Sequence, residues 1–148
     1  MIKKYITTII YDLALTMPML LYYMGHNNIL LKYWVLYIIP LVLIFEIVVF
    51  WLGNQLLMRC IIDDRFFNMF IGNKDMQKFK NSEKFFSNNK FSIYDIFSDV
   101  IVFTLFVVCG NILSALLFIC FYITKNQLKH TICKLVFYRG DKKWQSTL

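Results

Sequence analysis

Glycine and proline are scarce in these 148 residues, 5 and 2 respectively, and charged residues make up only 17%. So little Gly and Pro excludes a collagen-like or loop-dominated chain, and so little charge excludes a solvated, disordered one. Cysteine supplies no framework either. None of the four has the two-residue spacing of a zinc or redox site, and neither His26 nor His130 has a second histidine or a carboxylate three or four residues away. No phosphate-binding loop or nucleophile motif is present, so no catalytic, cofactor-binding or metal residues are expected.

What is abundant is apolar. Hydrophobic residues are 59% of the chain, aromatics 18%, and the mean hydropathy is +0.57. This composition predicts an all-α integral membrane protein, one membrane domain over 1–148. Three apolar blocks read as three transmembrane helices, at about 5–23, 33–58 and 95–124. A polar loop, 59–94, separates the second and third, and a short basic tail, 125–148, follows. The first block is interrupted by Asp12 and Pro18; with Lys3 and Lys4 ahead of it and no small-residue cleavage site after Met24, it reads as an uncleaved signal anchor. In the second, Trp34 and Trp51 stand about 26 Å apart along a helix, the separation of the two membrane interfaces. The third contains 25 residues without a charge, Val100 to Thr124.

The formal charge is +7, yet the bases are scattered between apolar blocks and form no nucleic-acid-binding motif, so membrane phosphates are the expected anion and nucleic acid is not. The tail carries six bases and one acid, with Leu128, Ile132, Leu135 and Val136 on one side of a short helix, which predicts binding to anionic lipids. In the loop, Phe66, Phe67, Met69, Phe70 and Ile71 suit either the membrane surface or the helix ends. Three spans place Lys3, Lys4 and seven loop bases on one side against Lys32 and six tail bases on the other. The first span then sets the N-terminus and loop in the cytoplasm. Cys60 and Cys133 fall on opposite sides, and no disulfide is expected.

Two acids lie inside the apolar blocks. Asp12 and Glu46 are each about six or seven residues from the same membrane face, roughly 10 Å deep. An acid in lipid costs about 2.5–3.5 kcal/mol, so each is expected to turn inward, be protonated, or meet a donor such as Tyr11, Asn54 or Asn111. Three roles are open to them: a neutral hydrogen-bonded pair, a proton or ion path, or a site that catches polar or basic groups of another membrane-inserted helix. Gly110 and Ser114 with the intervening Asn111 fit a small-xxx-small face, open either to this chain's own helices or to a partner. Asp12, Glu46, Gly110, Asn111 and Ser114 are therefore the candidate partner-recognition residues.

The run Glu83, Lys84, Phe85, Phe86, Ser87 and Asn88, followed by Phe97 and a charge-free helix ending in Ile123, Thr124 and Lys125, resembles the three-span immunity proteins of channel-forming colicins. The chain departs from that family in its longer loop and tail. The resemblance implies a bacterial inner-membrane protein whose partner is the channel domain of a pore-forming toxin, which it recognises in the bilayer and stops from opening. The rival reading with the same hydropathy is a plasmid or phage exclusion protein, and a third class is a structural subunit of a larger membrane complex. Oligomeric state is not encoded in any motif here.

Overall fold

The computed structural model describes residues 2–26, 28–86 and 89–140, and every regular element among them is helical. Helix α1 spans Ile2–Tyr23; α2 (Ile29–Tyr33), a π-helical turn (Trp34–Ile38) and α3 (Ile39–Ile62) follow one another without a break. The short α4 (Asp64–Phe70) and α5 (Gly72–Phe86) lead to α6 (Asn89–Val108) and α7 (Ile112–Gly140). The chain divides into two compact units, Met1–Glu46 with Tyr94–Tyr122, and Ile47–Ile93 with Ile123–Leu148.

The first unit is shaped by two glycine turns of the same design. At the end of α1, Gly25 takes φ 85°, its N–H donates to the Tyr22 carbonyl, and the His26 N–H reaches back to Leu21. At the end of α6, Gly110 takes φ 69°, its N–H donates to Val107, and the Asn111 N–H reaches back to Phe106. Both are Schellman closures, in which a left-handed residue lets two N–H groups satisfy carbonyls of the last turn. An asparagine then caps the next helix: Asn28 Oδ1 accepts from the Leu30 N–H and Asn111 Oδ1 from the Ser114 N–H, each at 3.1 Å. The chain therefore reverses at Gly110. The expected single span at 95–124 is two helices, and Gly110 lies in the turn between them, off any small-residue helix face. Hydropathy misses this because the turn carries no charge.

The π turn leaves one carbonyl without a backbone partner. The Ile39 N–H bonds to the Trp34 carbonyl, five residues back, so the next partner in that register for the Val35 carbonyl is residue 40. Residue 40 is proline and has no N–H. Asn111 fills the gap, its Nδ2 donating to the Val35 carbonyl at 3.1 Å. Val35 and Ile39 are both 1% exposed, and Asn111 is buried beside them in the chain's interior. Other buried apolar residues of this unit include Leu15, Met19, Leu43, Val102, Phe106, Ala115 and Phe118, with the Phe106 and Phe118 rings 5.7 Å apart.

The second unit has its own core: Leu57, Cys60, Phe67, Ile71, Met76, Ile132, Leu135 and Val136 bury one another, with Phe66, Phe79, Phe86 and Leu128 at the margin. The region expected as a polar loop is thus helical, and it is packed against the region expected as a free tail. Within this unit α7 runs parallel to α3, Leu128 lying near Gly53 and Thr131 donating to Asn54 Oδ1 at 2.5 Å. Asp63 caps α4 by accepting from the N–H groups of Arg65 and Phe66. Arg139 closes the unit. Its side chain is only 6% exposed, donates to the carbonyls of Cys60 (3.1 Å) and Ile61 (2.9 Å), pairs with Asp64, and lies 5.2 Å from the centroid of the Phe67 ring.

Two expectations are corrected by these contacts, and a third that the sequence leaves open is divided between its alternatives. Loop and tail do not lie on opposite sides, because the reversal at Gly110 brings residues 125–140 back to residues 57–76; Cys60 and Cys133 accordingly belong to the same unit, as free thiols. The apolar side of the tail helix is buried against protein, so it is not available to lipid. Of the Phe66–Ile71 cluster, Phe67 and Ile71 are core, whereas Met69 and Phe70 are 73% and 55% exposed. The tail residues beyond Gly140 and the pair Ser87 and Asn88 lie outside the described residues.

Candidate functional site

The polar groups of the first unit gather on α1, α3 and α6. Tyr11 donates its hydroxyl to Glu46 Oε2 at 2.5 Å, and the next residue, Asp12, accepts from Ser98 (2.5 Å) and from Tyr94 (3.3 Å). The two acids singled out from the sequence therefore meet neighbouring positions of one helix. Both are half-buried. Of the donors expected for them, Tyr11 serves; Asn54 is taken by Thr131, and Asn111 by Val35 and Ser114.

Tyr94 and Ser98 escaped the sequence reading. They are one helical turn apart, so they share a face of α6, and the signal was a pair of hydroxyls at i, i+4 just where loop was expected to become helix. Thr16, one turn beyond Asp12, gives its hydroxyl to the Asp12 backbone carbonyl at 2.8 Å and so is engaged along its own helix.

Both hydrogen bonds to the Asp12 side chain arrive at Oδ2; among the described residues no donor is recorded on Oδ1. The carboxyl lines a groove of about 250 Å³ between α1 and α6, whose walls include Ile9, Leu13, Thr16, Phe97 and Ile101. Leu13 is 49% and Phe97 66% exposed, so the groove opens outward. A second groove, about 420 Å³, lies between α6 and α7, with Asp99, Phe103 and Phe118 among its lining.

Gly110, Asn111 and Ser114 form no close-packed small-residue face. A Cβ added at Gly110 meets nothing within 4 Å, Asn111 is engaged by backbone on both sides, and Ser114 is 0% exposed with its hydroxyl unpartnered. In the second unit, burial pushes the Cys133 thiol above its ordinary pKa and the nearby Glu83 carboxylate adds to the rise. Among the described residues no group of three or more His, Cys, Asp or Glu can hold a metal ion.

The helix Ile29–Ile62 is long and apolar enough to cross a membrane, and only 22% of its most apolar window is buried; Ile9–Tyr23 is a shorter apolar helix. No family model matches this chain, and no match was found among curated proteins or solved structures.

Proposed function

We propose that this chain is a bacterial inner-membrane immunity protein, which protects a toxin-producing cell by binding the inserted channel domain of a pore-forming colicin and keeping the pore closed. One observation carries the reading: large apolar side chains stay exposed along the helices, Leu41 at 65% and Phe45 at 66% among them, and lipid is the medium in which such a surface is stable. The resemblance of the loop and third apolar run supplies the toxin. Such a protein acts by binding in the bilayer and needs no catalysis.

The reversal at Gly110 sharpens the topology within this proposal. With α1, Ile29–Ile62, α6 and the apolar first half of α7 all crossing, the N-terminus, residues 59–94 and the tail share one side. Of sixteen Lys and Arg, only Lys32 then lies on the other. A ratio of nine to seven becomes fifteen to one, which under the positive-inside rule supports a cytoplasmic N-terminus, loop and tail. The thirteen tail bases and loop bases together also face the anionic lipid head groups of that leaflet.

In cells, the gene should confer resistance to one pore-forming colicin while leaving sensitivity to others that share its receptor and translocation route. If the toxin's channel domain, delivered directly to the periplasmic face of the inner membrane, still depolarises protected cells, exclusion of a plasmid or phage becomes the better reading. For topology, single cysteines at Met24, Lys84 and Lys134 in a Cys-free background should react with a periplasm-confined reagent only at position 24. Labelling at 134 but not 84 would restore three spans.

A further inference from the structure

We infer that the groove between α1 and α6 is a docking site for a transmembrane helix of another protein that carries a lysine or arginine midway along its apolar length, with Asp12 Oδ1 as the acceptor. The inference deepens the membrane reading and rests on its placing α1 and α6 in lipid; it does not depend on the partner being a toxin.

Three observations carry it. First, the Asp12 carboxyl is half satisfied, since Ser98 and Tyr94 both donate to Oδ2. A polar atom in hydrocarbon without a partner is unfavourable, and a charged donor brought by a docking helix removes that penalty. Second, the groove around it is apolar and open, with Ile9, Leu13, Phe97 and Ile101 all more than 40% exposed. Third, the charge is complementary. Among the described residues that line the groove there is one acid, Asp12, and no lysine or arginine.

The position of the acid selects a helix over a lipid. Asp12 lies midway along the α1 wall, between Ile9 and Thr16, and about 10 Å along the helix from Tyr5. A lipid ammonium belongs at the head-group level, whereas a helix can bring a long basic side chain to any depth and leave its own apolar residues against Leu13 and Phe97.

The test uses the full-length protein in phosphatidylcholine vesicles and a leucine-rich transmembrane peptide with one central lysine, beside its all-leucine parent. Association is read by energy transfer between labelled peptide and protein. The lysine peptide should associate about tenfold more strongly than the parent. D12N should bring the two within about twofold. L13W, which fills the groove without changing charge, should do the same and decides the matter if D12N fails to fold by circular dichroism. Equal association of both peptides with the wild-type protein, or a lysine preference that survives L13W, overturns the proposal. Loss of the preference in vesicles containing phosphatidylethanolamine also overturns it, in favour of a lipid ammonium as occupant. A positive peptide result beside failed colicin protection would leave the docking site standing and remove the toxin as its partner.

Discussion

In the unit of Met1–Glu46 and Tyr94–Tyr122, ionisable groups among apolar side chains are acids met by hydroxyls; in the unit of Ile47–Ile93 and Ile123–Leu148, the buried group is an arginine met by a carboxylate and two backbone carbonyls. The first carries three bases and four acids, the second thirteen and five. A hydroxyl is a neutral donor that rotates to suit its acceptor, so the first arrangement satisfies its acids without fixing them. The planar guanidinium of Arg139 has a fixed fork of donors, and it ties the end of α3 to α4 and α7 in one geometry. One unit meets its acids with rotatable donors, and the other holds its arginine in a fixed fork.

Breaking that contrast should be most visible at Arg139. R139A removes the side-chain donors to the Cys60 and Ile61 carbonyls and should destabilise the protein by about 2–4 kcal/mol, read as a shifted denaturation midpoint in micelles. D64A should cost less than about 1 kcal/mol, because the Asp64 side chain is 71% exposed. Equal losses would make the ion pair, and not the capped carbonyls, the anchor.

Next in size is N111A, expected to cost about 2 kcal/mol by leaving the Val35 carbonyl unpaired and the start of α7 uncapped. N111S keeps a neutral capping oxygen but lacks the amide donor to Val35, so it should fall between wild type and N111A; hydrogen exchange at the α7 N-terminus would separate the two losses. Smaller is the turn itself. Because an added Cβ meets open space, G110A and G110L should both cost the same 1–2 kcal/mol of backbone strain, and G110N less. A much larger loss for G110L would restore the close-packed face. T131V, which removes the donor to Asn54, should cost about 1 kcal/mol.

The helical class, the apolar second helix and the need of the two acids for donors were legible because charge and hydropathy leave direct marks in a sequence. The hairpin was not. Gly110 and Asn111 are among the few residues able to turn and cap a chain in three positions, yet between uncharged runs they resemble a packing motif, and only long-range contacts such as Asn111 with Val35 distinguish the two. Tail and loop were misjudged for a related reason: Ile132, Leu135 and Val136 show that one helix side is apolar, but periodicity does not say whether lipid or protein covers it. Tyr11 was legible as one of three possible donors to the two acids, but not as the one that meets Glu46. Ser98 was not, since a serine near a loop boundary signals nothing by itself.

The missing N–H of Pro40 has an evolutionary reading. Proline at 40 and asparagine at 111 are 71 positions apart, yet the vacancy created by one is filled by the other. A lineage that replaces Pro40 regains a backbone donor for Val35 and releases position 111 from half of its duty, whereas a lineage that loses Asn111 first carries an unpaired carbonyl until position 40 changes. Second-site revertants of N111A are therefore expected to concentrate at Pro40, and the order in which the two positions drift among descendants of this chain should be Pro40 first.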